Sequence, residues 1–368
     1  MPTKTKVLLV VNYRSKSDPF NVGGVEYHRL LIPFIHLSQR SPIELHQINE
    51  IDPENTRLEN FDVVVFSRVL SNFGRDELVL NALKKAGIPF VVDVDDYWRL
   101  PTSHLLYDQW RQHRMADRIE LALKNATAVI TTTPHLAAQV RKLNKNVAVA
   151  PNAIDPEQPQ FVPQPLYSDV VRVGWVGGLC HTDDIPLLQR GFEKLYEDAP
   201  LQPHFGVNLC GYSPQNFDVW GYYEQIFTAG RARPNYQRVH GLDIRHYATL
   251  YNKLDVCIVP LADTSFNRCK SPLKLLEAGW FKKPCVVSKV YPYTLLGEHY
   301  KNLLFVENNK TDWYKYIKKL IQTPTLRQEL GEALHETVRE HYVMDRVNGV
   351  REDVLNNYLR WVQNPMLP

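Results

Sequence analysis

The chain has 368 residues, of which 44% are hydrophobic and 23% are charged, and its formal net charge is +3. These values are ordinary for a globular protein with room for two full cores, and the slight positive charge permits acidic partners without requiring them. The sequence contains no tandem repeat and no low-complexity tract, which excludes repeat arrays and predominantly disordered chains.

The five cysteines are scattered and lack the close spacing of a zinc site. Cys257 and Cys285 fall in apolar, strand-like runs, where a reduced cysteine acts as a small apolar residue. We therefore expect a reducing, cytoplasmic location. The apolar run at 6–11 is too short for a signal peptide or a transmembrane segment and predicts a first strand instead.

The first half of the chain alternates strand-like and helix-like segments, which is the pattern of a doubly wound parallel sheet. Strands are predicted at 6–11, 62–67, 89–94, 128–132 and 147–150. Helices are predicted at 25–38, 75–86, 107–124 and 134–143.

Candidate binding residues of this half lie near predicted strand ends. Gly23 and Gly24 follow the first strand, where they either let the backbone approach a ligand or form a plain tight turn. His28 and Arg29, in the first turns of the next helix, reach into a cleft or lie on a solvated helix face. Arg68 ends the second strand.

Asp93, Asp95 and Asp96 end the third strand, at the sheet edge where α/β proteins keep their sites. Clustered carboxylates suit a Mg²⁺ ion, or they cap a helix and pair with Arg99.

The predicted helix at 107–124 carries Arg111, Arg114 and Arg118 at helical spacing, so they form a basic stripe. Such a stripe is a solvated face or, if it lines a cleft, a binding site for an anionic acceptor.

A run rich in proline and glutamine at 156–165 predicts a linker between two domains. The strand predicted at 171–176 leads to Gly177 and Gly178, whose backbone can approach a diphosphate, and then to a loop with His181. Further strands are predicted at 204–210, 256–261, 285–287 and 303–306. Further helices are predicted at 244–253, 312–322, 324–341 and 344–362.

The stretch 254–288 predicts a strand, a polar loop, a helix and another strand. Ser271 is a good N-cap and Pro272 fits the first helical position. Lys270 precedes this helix start and Lys274 lies in its first turn. Because a helix start offers free N–H groups and a positive dipole end, the pattern predicts a phosphate site. A capped, solvated helix is the alternative, and Glu277 lies on a neighbouring part of its surface.

The string PLADTSFNRCKSPLKLLEAG, followed by KKPCVVS, resembles the donor-binding signature of glycosyltransferase family four, whose members have the GT-B fold. Glu277 matches the family's second glutamate, which holds the ribose of a sugar nucleotide. The first glutamate, which touches the donor sugar, would fall at Cys269. Phe266, Asn267, Lys270 and Ser271 resemble a subgroup with Phe-Asn-x-x-Lys-Ser, and Pro-Asn-Ala-Ile-Asp at 151–155 resembles the family's hinge string.

The resemblance implies two Rossmann-like domains that face a central cleft. Residues 1–155 would bind the acceptor, 156–168 would be the linker, 169–343 would bind the nucleotide sugar, and 344–368 would pack back on the first domain.

The implied activity is transfer of a sugar from a nucleoside-diphosphate sugar, a UDP or GDP sugar, to an acceptor hydroxyl, with retention of configuration and without a metal ion or a tightly bound cofactor. Lys270, Asp95, Asp96 and His181 would be catalytic, with one aspartate orienting the acceptor or stabilising positive charge on the sugar. The residues expected to bind the donor are Gly177, Gly178, Asn267, Ser271, Leu273, Lys274 and Glu277. Those expected to bind the acceptor are Gly23, Gly24, His28, Arg29, Arg68, Arg111 and Arg114.

The acceptor is expected to be a glycan or a lipid-linked saccharide. The basic stripe keeps a second possibility open, namely glycosylation of hydroxymethylated bases in DNA. A third possibility is an inactive sugar-nucleotide sensor, because Cys269 replaces a glutamate. The sequence leaves the oligomeric state open.

Overall fold

A computed structural model describes residues 4–12, 18, 21–308 and 312–363, with side chains to residue 357. It contains two parallel six-stranded sheets, one in each half of the chain. The fold class is therefore α/β, as the alternating pattern predicted. None of the described helices is both long enough and apolar enough to cross a membrane. All five cysteines are free thiols.

The N-terminal sheet has the strand order β2-β1-β3-β4-β5-β6. Its strands are Thr5–Val10 (β1), Ile43–Ile48 (β2), Val63–Ser67 (β3), Phe90–Val94 (β4), Ala128–Thr131 (β5) and Val147–Val149 (β6). The helices around it are Gly24–Glu26 (α1), Ile32–Arg40 (α2), Asp76–Ala86 (α3), Tyr107–Gln112 (α4), Met115–Asn125 (α5) and Pro134–Val140 (α6). Buried valines, leucines and isoleucines of the central strands pack against helices on both faces, as in other doubly wound sheets.

Three features of this half differ from the sequence-based prediction. The predicted helix at 25–38 is interrupted by a π-helical segment, Tyr27–Leu31, between α1 and α2. The predicted helix at 107–124 is two helices, because Arg114 adopts a left-handed backbone conformation with φ 50°. The edge strand β2, with only one fully buried residue, was not predicted.

The C-terminal sheet has the order β12-β11-β10-β7-β8-β9. Its strands are Val171–Val176 (β7), Phe205–Tyr212 (β8), Tyr236–His240 (β9), Val256–Val259 (β10), Cys285–Ser288 (β11) and Leu304–Val306 (β12). The helices of this half are Gln189–Glu197 (α7), Phe217–Thr228 (α8), Leu273–Trp280 (α9), Asp312–Gln322 (α10), Pro324–His341 (α11) and Met344–Gln363 (α12). The helix predicted at 244–253 is a 3-10 helix, Tyr247–Lys253.

The order of the C-terminal sheet reverses between β7 and β10, which are adjacent although two strands separate them in sequence. A crevice opens beyond the carboxyl ends of strands at such a reversal, and ligands bind there in open α/β sheets. The loop after β7 contains Gly177 and Gly178, and the loop after β10 leads to Lys270. The topology thus brings two predicted donor-binding segments together.

Helix α12 returns to the first half of the chain. Its residues Met344, Val347, Val354 and Leu355 are buried in the same apolar cluster as β1 and α2. The predicted domain boundaries stay predictions.

Helix α9 is held against α11 by close glycine contacts. A Cβ added at Gly331 in α11 would lie 2.2 Å from the backbone oxygen of Lys282, just beyond α9. A Cβ added at Gly279 in α9 would lie 2.8 Å from the Leu334 side chain. Both glycines are therefore required for the close approach of the two helices that positions α9 at the crevice.

We expect Gly331→Ala to lower the free energy of unfolding by about 1–3 kcal/mol, because backbone atoms must shift to admit the methyl group. The control is Gly221→Ala in α8, where an added Cβ meets nothing within 4 Å. This second change should stabilise by about 0.5–1 kcal/mol, as alanine replaces glycine inside a helix. Urea unfolding measures both; equal effects would contradict the tight α9–α11 contact.

Candidate functional site

A cavity of about 620 Å³ lies between the carboxyl edges of the two sheets. Its walls come from both halves of the chain, and most of the predicted site residues line it. They are Gly24, His28, Arg29, Asp95 and Asp96 from the first half, and Gly178, His181, Lys270, Ser271, Leu273, Lys274 and Glu277 from the second. The volume is in the range of small-molecule sites. We call this space the donor cavity.

The floor of the donor cavity is the start of α9. The helix begins at Leu273, with Pro272 as the N-cap residue, so the predicted capping by Ser271 is wrong. Pro272 has no N–H, and the first N–H groups of any helix have no partner within the helix. The lining residues Leu273 and Lys274 therefore bring the positive end of the helix dipole to the cavity.

Lys270 and Lys274 flank this helix start, and both are partly buried. Burial and the neighbouring Lys270 lower the pKa of Lys274. Burial alone would lower the pKa of Lys270, but the carboxylates of Asp96 and Asp184 raise it. The cavity floor thus presents two close cations.

His181 touches Lys274 rather than standing free in the cavity. Its Nε2 lies 3.1 Å from Lys274 Nζ, and its Nδ1 lies 2.7 Å from Asp184 Oδ2. An ammonium group can only donate, so Nε2 accepts and Nδ1–H donates to the carboxylate. Burial, with the Lys274 charge, lowers the pKa of His181 to about 4. Neutral His181 therefore orients Lys274.

Asp184 connects the two loops that form the crevice, a role that the sequence did not reveal. Besides His181, the carboxylate accepts hydrogen bonds from Ala262 N at 2.7 Å and Asn267 Nδ2 at 3.0 Å. Asp184 and Asn267 are both buried. Asn267 does not line the donor cavity, so its action on a donor is indirect, through the loop that it holds.

Glu277 lines the cavity from the second turn of α9 and is 3% exposed. Tyr251 donates a hydrogen bond of 3.0 Å to its Oε2. Burial raises the pKa of Glu277 to about 7. Tyr251 lies on the 3-10 helix before β10 and was not predicted; it fixes one carboxylate oxygen and leaves the other for a ligand.

Asp96 and Lys270 form an ion pair of 3.6 Å across the cavity, joining the two halves of the chain. Asp95 beside them has a buried Oδ1 that accepts no hydrogen bond from any described residue. Burial and the adjacent Asp96 raise the pKa of Asp95 to about 6. Arg68, at φ 63°, lies nearby and pairs with Glu26 at 3.7 Å. Asp95 and Asp96 are thus the carboxyl groups offered by the first half.

Arg29, a predicted acceptor-binding residue, is engaged by other groups of the protein. It is 1% exposed, and its guanidinium donates to both oxygens of Asp93 at 2.9 Å. It also donates to Asn152 Oδ1 at 3.1 Å, and Asn152 Nδ2 donates to Ser271 Oγ at 2.6 Å. This chain of buried polar groups connects β4 to the start of α9, so Arg29 is a positioning residue.

The Mg²⁺ interpretation of the acidic cluster has no support in this geometry. Asp93 is occupied by Arg29, and Arg99 contacts Glu120 rather than the cluster. Among the residues that the structure describes, no group of three or more His, Cys, Asp or Glu side chains is placed to hold a metal ion.

The basic stripe is not formed. Arg111 and Arg114 are 73% and 77% exposed and lie outside the donor cavity, each next to an aspartate of its own segment. Arg118 pairs with Asp76 at 2.7 Å, in a separate site on the first half. The break at Arg114 and these local pairs remove the continuous basic face.

The glycine pairs divide between lining and packing roles. Gly24 and Gly178 line the donor cavity, and an added Cβ at Gly178 would meet nothing within 4 Å. Gly177 is buried, and an added Cβ would lie 2.0 Å from the Trp175 ring. Gly23 precedes α1 without a left-handed backbone. His28 lines the cavity, and burial lowers its pKa to about 4.

Cys269, at the position of the family's first glutamate, is 1% exposed and packs in an apolar cluster of the first half. It does not line the donor cavity. A carboxylate there would have to be removed from water, whereas a cysteine fits this position as a small apolar residue.

Comparisons with known proteins bear on the fold. Residues 6–153 match the family model described as a glycosyl transferase 4-like domain. No curated protein matches the chain in sequence. Many solved structures are similar in fold.

The glycosyltransferase from Rickettsia africae ESF-5 has a TM-score of 0.66 and 15% identity, covering 97% of this chain and 99% of that chain. Sucrose-phosphate synthase from Thermosynechococcus elongatus has a TM-score of 0.67 and 13% identity, and the match covers 97% of this chain and 100% of that chain. Anabaena HepE in complex with UDP-glucose has a TM-score of 0.64 and 16% identity, and the match covers 96% of this chain and 99% of that chain.

These likenesses confirm the GT-B fold that the sequence motif implied: two Rossmann-like domains that face a cleft. In this chain the two sheets form the cores of the two Rossmann-like domains, and the donor cavity lies in the cleft between them. The Phe-Asn-x-x-Lys-Ser subgroup stays a prediction.

The environment of His181 has a measurable consequence. The unfolded chain binds a proton at His181 below a pKa of 6.5, whereas the folded chain does so only below about 4. The contribution of neutral His181 to the free energy of unfolding is therefore fully present above pH 6.5 and is lost as the pH falls toward 4. Between pH 7 and pH 5 the loss should be about 2 kcal/mol at 1.36 kcal/mol per pKa unit.

We expect the variant His181→Gln, which keeps a donor and an acceptor, to lack this part of the acid sensitivity. Urea unfolding of both proteins at pH 7 and pH 5 measures the difference. Identical pH dependence in the two proteins would show that His181 is not held neutral.

Proposed function

We propose that this protein transfers a sugar from a nucleoside-diphosphate sugar to the hydroxyl group of an acceptor. The observation that carries the proposal is the pair of lysines, Lys270 and Lys274, at the start of α9 on the floor of a cavity between two Rossmann-like domains. A diphosphate is the ligand whose two negative charges suit two cations and a helix start.

Departure of the diphosphate is the step that these groups assist. Negative charge grows on the phosphate oxygens as the bond to the sugar breaks, and positioned cations in a cavity stabilise that charge. Lys270 and Lys274 supply the charges, while the amides of Leu273 and Lys274 supply donors. His181, held by Asp184, keeps Lys274 in place.

Glu277 is proposed to bind the ribose. Its carboxyl group lies four residues beyond Leu273 along α9, and Tyr251 fixes one of its oxygens. The other oxygen can accept a hydrogen bond from a ribose hydroxyl. UDP is the nucleotide we favour over GDP, because Anabaena HepE, a structural neighbour, is known in complex with UDP-glucose.

Asp95 and Asp96 are proposed to face the acceptor hydroxyl. Resemblance to the family favours retention, in which the leaving phosphate itself takes the acceptor proton. Should the enzyme invert, Asp95 would be the base, since a pKa raised to about 6 suits proton transfer near neutral pH. The anomeric configuration of the product, read by NMR, distinguishes the two courses.

The acceptor is proposed to be a saccharide, free or lipid-linked, and the location cytoplasmic. The arginines that suggested DNA are each next to a carboxylate, so duplex binding has lost its support. We favour an active enzyme over the inactive sensor, because Lys270, Lys274 and Glu277 all line the donor cavity. We propose that transfer needs no metal ion, since two lysines offset the diphosphate charge; full activity in EDTA would agree.

The test is a thermal-shift screen of UDP and GDP sugars, followed by hydrolysis of the stabilising sugar nucleotide with and without added saccharides. We expect stabilisation by a UDP sugar and its slow hydrolysis in water. No stabilisation by any sugar nucleotide would contradict the proposed function.

Lys270→Ala should lower turnover of that donor by about 10²–10³-fold, the usual effect of removing one charge-stabilising group. Lys301→Ala, at a lysine that is 73% exposed, is the matched control and should turn over normally. Circular dichroism checks that both variants fold. Near-normal turnover by the folded Lys270→Ala variant would remove Lys270 from the mechanism.

Glu277→Ala should weaken UDP binding by about 10–100-fold, because a hydrogen bond to a charged group contributes about 1.5–3 kcal/mol. Glu336→Ala, at a glutamate that is 60% exposed, provides the control. Calorimetric titration with UDP measures both affinities. Equal affinities in the two variants would exclude Glu277 as the ribose ligand.

A further inference from the structure

A second, smaller cavity of about 170 Å³ opens beside the donor cavity, on the side of the N-terminal sheet. The two cavities share three lining residues, Asp96, Cys180 and Lys270. They therefore meet at the ion pair that joins the two halves of the chain. We call the smaller space the aromatic cavity, after the rings in its wall.

Five rings line the aromatic cavity: Tyr97, Trp98, His104, Trp110 and Phe266. Trp110 Nε1 donates to the Trp98 backbone oxygen at 2.8 Å, and Trp98 Nε1 donates to Glu120 at 3.1 Å. Both indole N–H groups are thus satisfied within the protein. The wall is held rigidly and offers mainly carbon surface to an occupant.

The charged groups in the wall of the aromatic cavity are Arg68, Asp96 and Lys270, and the last two also line the donor cavity. Arg68 is 26% exposed and Asp96 is 39% exposed, and Lys270 lies beside Asp96 at 3.6 Å. The Arg68 guanidinium donates hydrogen bonds and the Asp96 carboxylate accepts them. Together they can bind a hydroxyl group that accepts and a hydroxyl group that donates. A few placed polar groups within apolar walls are typical of a small-molecule site.

We propose that the aromatic cavity binds one sugar ring of a saccharide acceptor, with the reacting hydroxyl directed toward Asp96. Its volume equals about six water molecules at about 30 Å³ each, which is room for a single six-membered ring. A sugar ring has C–H groups on its faces and hydroxyls on its rim, and so matches aromatic walls that carry a few charged groups. The assignment rests on the proposed function, which places a donor sugar in the adjoining cavity.

The angles between the rings favour a sugar over a nucleobase. Tyr97 and Trp98 are tilted by 48°, and His104 and Phe266 by 67°. A flat base stacks best on rings parallel to it, whereas a puckered ring with C–H groups on both faces fits tilted walls. Tyr97 is the ring we choose to test, because it is only partly buried and does not line the donor cavity.

The experiment is saturation-transfer NMR of the full chain with methyl glycosides of glucose, galactose, mannose and N-acetylglucosamine, with UDP present. We expect signal from at least one glycoside with the wild type, with Tyr97→Phe, which keeps the ring, and with the control Tyr167→Leu, at a tyrosine that is 89% exposed. In Tyr97→Leu the glycoside signal should fall at least fivefold, while the affinity for UDP measured by calorimetry stays within twofold of the wild-type value.

Undiminished signal in Tyr97→Leu, or no signal from any glycoside with the wild type, overturns the assignment. Signal from 5-hydroxymethyl-2′-deoxycytidine and from no glycoside also overturns it, in favour of a nucleic-acid acceptor. Should Tyr97→Leu fail to fold, Arg68→Gln takes its place with the same expectations. Failure of the wild type to bind UDP would contradict the proposed function separately, and the glycoside comparison on the free protein would still decide the assignment.

Discussion

Two lysine side chains beside the start of one helix are the constraint on which this structure depends. Lys270 and Lys274 repel each other, and the positive end of the α9 dipole adds to the repulsion. Burial increases the cost, which is visible in the lowered pKa of Lys274. Such an arrangement is stable only if the surrounding protein holds both cations, and it becomes favourable when an anion with two charges binds.

The surrounding groups hold the cations without neutralising them fully. Asp184 is shared among His181, Asn267 and a backbone N–H, so its charge is spread over the crevice loops. His181, neutral at physiological pH, contributes only an acceptor to Lys274. Asp96 stands 3.6 Å from Lys270 across the cleft. The floor of the donor cavity therefore keeps positive charge available.

The sequence predicts those features of the fold and the site that depend on residues close together in the chain. The buried strands and α9, with its lysines and Glu277, were predicted because runs of apolar residues and the spacing along one helix are local signals. The hydrogen bonds that Tyr251, Asn152 and Asp184 make with Glu277, Ser271 and Asn267 were not predicted. Each joins residues that are far apart in sequence and meet only in the folded protein. The ion pair of Arg29 with Asp93 was missed for the same reason, since 64 residues separate them.

A crystal structure of the protein with UDP bound tests the central claim most directly. We predict that the two phosphates lie over the start of α9, with Lys270 Nζ and Lys274 Nζ within hydrogen-bond distance of phosphate oxygens and Glu277 against the ribose. Phosphates found elsewhere on the protein, or a nucleotide in the cavity whose phosphates point away from both lysines, would contradict it.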